Sequence, residues 1–271
     1  MVHKAKIIGI IAIKGGVGKT TSLINLAYSL AHDASQRVLV VDGDFSHPSV
    51  GLHLGFTSYS RSLSDALRNP SKTKDSVYAH EFGFHVLLGS LSAEKSNPLR
   101  LKECLQTLKE YYDYILVDSS PNLNDETLSV MRASDSLFVV TTPDYPSLAS
   151  SLRAIRLAKE KKTNIEGIIL NQVRNKKYEY SASDVEKISK TPVLAVIQDT
   201  SAMLHSLSSI SPFVKNFPKS KNSHAFRSLA LSLCKQEYEK PQRLEKIQGY
   251  LHEDYCKLKT HSFRHGLLYF K

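Results

Sequence analysis

The chain has 271 residues, 41% hydrophobic and 23% charged, which fits one large α/β domain with an ordinary core and a short appendage. Its apolar run at 7–13 is broken by Gly9 and too short to cross a bilayer, the first residues do not read as a secretory signal, and Cys104, Cys234 and Cys256 form no Cys-x-x-Cys pair. These features argue against a membrane-spanning protein, a disulfide scaffold or a zinc module, and lead us to expect a cytoplasmic protein; the net charge of +10 favours either anionic partners or simply a well-solvated surface. In chain order, the β-branched run 6–13 predicts a strand, 20–32 a helix with Leu23, Ile24, Ala27 and Leu30 on one face, and 37–42 a second strand. A short helix at 62–67, a strand at 84–88 and a helix at 98–111 follow, the last with Leu99, Leu101, Leu105 and Leu108 directed inward. Further strands are expected at 114–118, 136–142, 166–173 and 193–197, and helices at 126–133, 147–161, 182–190 and 222–235.

Short apolar strands alternating with helices predict a mainly parallel sheet with helices on both faces, spanning residues 1–240. Ligands in such folds bind at the carboxyl ends of the strands. After Pro241 the pattern changes to a stripe of Leu244, Ile247, Leu251, Tyr255 and Leu258 at helical spacing, so 241–271 is expected to be a helical C-terminal appendage.

Between the first strand and the first helix stands Lys14-Gly15-Gly16-Val17-Gly18-Lys19-Thr20-Thr21. Glycines let the backbone curl so that successive N–H groups face an anion, and the helix that follows directs its positive end at the same point. A strand, such a loop and a helix chelate a nucleoside triphosphate. Lys19 would neutralise the β- and γ-phosphates, the Thr20 hydroxyl would bind Mg²⁺, and Thr21 would reach the α-phosphate. The strand 38–42 ends in Asp42-Gly43-Asp44, which places two carboxylates on one side of the extended chain. The apolar strand ending in Asp118 has the Walker B form, in which the acid holds Mg²⁺, and Ser119-Ser120-Pro121-Asn122 follows as a segment able to sense the γ-phosphate.

The Lys14–Thr21 string resembles the deviant Walker A motif of the MinD/ParA family of P-loop ATPases, and the resemblance extends over most of the chain. It implies ATP and Mg²⁺ as ligands and an ATP-dependent homodimer in which Lys14 crosses to the partner's nucleotide. It also implies that Asp44 positions the attacking water, with Asp42 in support, and that Asn171, at the end of the strand 167–171, recognises adenine. Thr141-Thr142-Pro143-Asp144 is similar to a segment of the MinD branch. The resemblance therefore implies a MinD-like Mg-ATPase acting as a dimerisation switch in spatial organisation or cell division, stimulated by an activating protein. Its basic and apolar C-terminal residues Phe263, Arg264, Leu267 and Phe270 suggest a peripheral hold on the inner face of the cell membrane. The alternative is a ParA-type partition ATPase that binds nonspecific DNA, suggested by the stretch 200–236, which holds no acidic residue.

Overall fold

The computed structural model describes residues 4–90 and 97–235. The chain starts with strand β1 (Lys6–Ile11), helix α1 (Lys19–His32), strand β2 (Val38–Gly43) and the short helices α2 (Val50–His53) and α3 (Leu63–Arg68). Strands β3 (Val77–Ala79) and β4 (His85–Leu87), helix α4 (Leu101–Gln106), strand β5 (Tyr114–Ser119), helix α5 (Asp125–Ala133) and strand β6 (Ser136–Thr141) follow. The described chain closes with α6 (Tyr145–Glu160), β7 (Asn164–Val173), α7 (Ala182–Ser189), β8 (Val193–Gln198), α8 (Ser201–Ser208), α9 (Phe213–Asn216) and α10 (Lys221–Leu233). The expected appendage at 241–271 lies outside the described residues.

The eight strands form one sheet in the order β3-β4-β2-β5-β1-β6-β7-β8, parallel except for the antiparallel β3–β4 pair at one edge. Successive strand residues point to opposite faces, and both faces are covered. On one side Ile7, Leu39, Ile115 and Leu137 meet α3, α4, α5 and α6 through Leu63, Leu105, Met131 and Ile155. On the other, Ile8, Val40, Leu116 and Phe138 meet α1 and α10 through Leu23, Leu26, Phe226 and Leu229. Burial on both faces is why β1, β2, β5 and β6 are nearly continuous apolar runs. Each such Ile or Leu contributes about 1.5–3 kcal/mol by leaving water.

Several expectations need correction. The helix predicted over 98–111 is a 3₁₀ turn at Pro98–Arg100 followed by only Leu101–Gln106. The Thr107 hydroxyl donates to the Cys104 carbonyl, and the Thr107 and Leu108 amides bond three residues back, so the last turn tightens and ends. Leu99, expected to face inward, is 57% exposed. The predicted first strand stops at Ile11, and the bend into the glycine loop starts at Ile13. Helix α6 starts at Tyr145 rather than at 147 because the Asp144 carboxylate accepts the Ser147 amide at 3.0 Å, with Pro146 in the first turn.

Candidate functional site

The carboxyl ends of β1, β2, β5 and β7 converge on the loop between β1 and α1, at the centre of the sheet. Gly16 and Gly18 lie at φ +76° and +87°, a region that residues with a Cβ seldom adopt. A Cβ on Gly16 would meet nothing within 4 Å, and one on Gly18 would lie 2.1 Å from the Asn171 amide nitrogen. Gly18 caps α1 without any side-chain hydrogen bond, and the first turn of α1 carries no acidic residue. The helix therefore offers its N-terminal amides and positive end to a ligand rather than to its own side chains.

Lys19 and Thr20, the first two residues of α1, reach across to β5. Lys19 Nζ lies 3.9 Å from Asp118 Oδ1, with 11% of the lysine side chain and 1% of the aspartate's exposed. Thr20 Oγ1 donates to Asp118 Oδ2 at 2.5 Å and lies 3.0 Å from Ser49 Oγ. A hydroxyl and a carboxylate side by side, next to a lysine and an amide-lined loop, are hard oxygen donors suited to Mg²⁺ carried on a phosphate chain. Thr21, one residue further along α1, gives its carbonyl to the Asn25 side chain at 2.8 Å.

Three acids gather at the ends of β2 and β5. Asp42 and Asp118 face each other across the β2–β5 ladder and are almost completely buried. Burial pushes the Asp42 carboxyl well above the usual carboxylate range, and the Asp118 charge adds to this. Asp42 accepts the Val50 amide at 2.9 Å and the Asp44 amide at 3.3 Å. It thereby anchors the turn and the start of α2. Burial raises Asp118 too, against the pull of Lys19 and the Thr20 hydroxyl. Asp44, 5% exposed, is raised by burial while the His47 amide, donating at 3.0 Å, pulls it back.

Asn171, at the end of β7, is buried and donates its Nδ2 to the Val17 carbonyl at 2.8 Å. Lys14 stands apart from these groups. Its ammonium bonds Asp144 Oδ1 at 3.1 Å, and both side chains are partly exposed. Burial alone would raise Asp144, but hydrogen bonds from Thr142 and the Ser147 amide, together with Lys14, hold it below the ordinary carboxylate value. Of the expected site residues, the loop, Lys19, Thr20, Asp118 and Asn171 form one connected group. Asp44 lies beside it, and Lys14 lies at its rim. The sequence assigns no site role to Ser49, whose hydroxyl touches Thr20, or to Gln172, whose Nε2 donates to the Gly16 carbonyl at 2.7 Å. The Pro48-Ser49 pair following two strand-end acids was the available signal for Ser49; nothing in the sequence marks Gln172.

A glycine loop between the central strand and its helix, faced by strand-end acids, defines a P-loop nucleotide-binding protein. The profile of a family described as an AAA domain matches residues 5–168. An uncharacterised ATP-binding protein of Methanocaldococcus jannaschii is 30% identical over 235 residues, covering 86% of this chain and 89% of that protein. The chromosome partitioning protein ParA of Caulobacter vibrioides is 30% identical over 204 residues, covering 66% of this chain and 75% of ParA. Among solved structures, the septum site-determining protein MinD complexed with Mg-ADP, from Pyrococcus horikoshii, superposes with a TM-score of 0.79 at 29% identity, covering 90% of this chain and 98% of MinD. The chain belongs to the MinD/ParA family of P-loop ATPases.

Proposed function

We propose that this chain is a MinD-type Mg-ATPase that works as an ATP-dependent dimerisation switch in spatial organisation or cell division. The observation that carries this reading is the convergence of Lys19, Thr20 and Asp118 on the mouth of the glycine loop, with Asp44 beside them. The loop amides and Lys19 would bind the triphosphate, and Thr20 and Asp118 would hold Mg²⁺, which would supply neutralisation of the phosphate charge. Asp44 orients the attacking water, and Asn171 recognises adenine. Lys14 leaves its own chain's Asp144 to reach a partner's nucleotide, which couples phosphate binding to association. Bound ATP favours the dimer and hydrolysis releases it. An activating protein sets the rate of that release, and the dimer acts peripherally on the inner face of the cell membrane. No helix among the described residues is long and apolar enough to cross a membrane, and the C-terminal residues that would make the hold lie outside the described residues.

A second reading, ParA-type binding to nonspecific DNA, rests on the acid-free stretch 200–236. Within it Arg227 is tied to Asp33 at 3.1 Å and Lys215 lies over the Phe82 ring at 4.4 Å, so part of that charge is used inside the fold. This favours the MinD-type reading.

The test is Asp44→Ala with Mg-ATP, followed by molecular mass and phosphate release, and then by offering the trapped species anionic liposomes and DNA in parallel. A stable dimer with little turnover that sediments with liposomes is expected. A variant that stays monomeric, or hydrolyses ATP at the parental rate, would contradict the assigned roles. Retention on DNA but not on lipid would move the reading to the ParA type.

A further inference from the structure

Strand β7 does not run straight into its last residues. Leu170 pairs with Val196 and Val173 with Gln198, so β7 carries one residue more than β8 over this step. That is a β-bulge. Gln172 takes the extra step at φ +56°, a left-handed conformation that is unfavourable for a residue with a Cβ. In a regular strand, neighbouring side chains point to opposite faces. Here two neighbours serve the same loop: Asn171 Nδ2 donates to the Val17 carbonyl at 2.8 Å, and Gln172 Nε2 to the Gly16 carbonyl at 2.7 Å.

The two carbonyls share peptide planes with the N–H groups of Val17 and Gly18. A loop that directs N–H groups inward at an anion turns the matching carbonyls outward. A donor on the outer side fixes that orientation and polarises the peptide unit, strengthening the N–H on its inner side. We infer that Gln172 is a positioning residue for nucleotide binding. Its amide holds the Gly16 peptide with the carbonyl outward, so the phosphate loop is preorganised before the triphosphate arrives. The inference rests on the P-loop reading above and deepens it. Under that reading Asn171 also serves the base, whereas the Gln172 amide is given to the loop, so its variants test loop support separately from base recognition. A backbone strained at this one residue, at the end of a strand, is the cost of bringing that donor to the loop.

The test uses the full chain, with calorimetry of Mg-ATP binding and thermal melting. Gln172→Gly keeps the left-handed backbone and removes the side chain with its amide. Its affinity should fall about fivefold to tenfold, the effect of losing one hydrogen bond, while the melting temperature stays level or rises. Gln172→Glu keeps the size but replaces the donor with an acceptor and should bind still more weakly. Gln172→Lys restores a donor of similar reach and should return affinity to within about twofold of the parent. A glycine variant that binds as the parent does, or a lysine variant as weak as the glycine one, would overturn the inference while leaving the P-loop reading intact. A parent chain that takes up no Mg-ATP would overturn both.

Discussion

Neutralising Asp144 should tighten the proposed ATP-dependent dimer. In the described structure Lys14 is held within its own chain, 3.1 Å from Asp144, with 43% and 42% of the two side chains exposed. If Lys14 must leave Asp144 to reach a partner's nucleotide, each subunit loses that ion pair on association. An exposed pair is worth about 0.2–1 kcal/mol, so a symmetric dimer gives up roughly 0.4–2 kcal/mol for two of them. Removing the pair beforehand should therefore strengthen dimerisation about twofold to thirtyfold. Asp144→Asn is the suitable change, because Asn caps a helix as well as Asp does and the Ser147 amide keeps its acceptor. Sedimentation in Mg-ATP, on an Asp44→Ala background to suppress turnover, would measure the dimer constant. The advantage should shrink at high salt, since the pair is partly solvent-exposed. Asp144→Ala serves as the contrast: it frees Lys14 equally but also removes the cap of α6, and should cost about 1 kcal/mol of stability in denaturant unfolding. A dimer constant for Asp144→Asn equal to or weaker than the parent's would refute the idea that this contact restrains Lys14.

Two further expectations follow from local geometry. Gly18→Ala would place a methyl group 2.1 Å from the Asn171 amide at φ +87°, so the loop or β7 must shift. Calorimetry should show loss of Mg-ATP binding, and denaturant unfolding a cost of about 1–3 kcal/mol; an alanine variant that binds normally would show that the loop does not act as a phosphate cradle. Burial pushes the Tyr112 phenol from 10.0 up to about 12, and its hydroxyl lies 2.8 Å from His85 Nδ1. Below pH 10 the phenol is neutral in both folded and unfolded chains; between about pH 10 and pH 12 only the unfolded chain ionises, so stability falls as pH rises through that window. Tyr112→Phe should flatten that part of the stability–pH curve, and an unchanged slope would show that Tyr112 is not the group responsible.

What the sequence made legible depends on how local the physics is. The central strands could be read because burial on both faces demands unbroken apolar runs, and β1, β2, β5 and β6 supply them. The glycine loop, Lys19 and Thr20 could be read because the strand, the loop and the helix that follows are contiguous. Asp42, Asp44 and Asp118 could be read because each closes an apolar strand. The three-residue strand β3 could not, since its pairing with β4 is a tertiary fact and its own pattern is too short. Helix α8 was passed over for a different reason: Leu204 is 64% exposed and Leu207 40% exposed, so its apolar residues do not mark a buried face.

Gln172 shows the sharper limit. Its contact with Gly16 requires a bulge in β7, and that bulge is defined only by how β7 pairs with β8. The residue looks unremarkable in a strand-end sequence because its role is set by a backbone angle rather than by its neighbours in the chain. The motif supplies the groups that would touch the nucleotide, and residues distant in sequence hold those groups in shape: Asn171 and Gln172 from β7 on the loop carbonyls, Ser49 at Thr20, and Asp42 at the start of α2. A chain with the same loop but without these supports would still match the motif. It would be expected to bind nucleotide more weakly, because the amides would have to be ordered by the ligand itself.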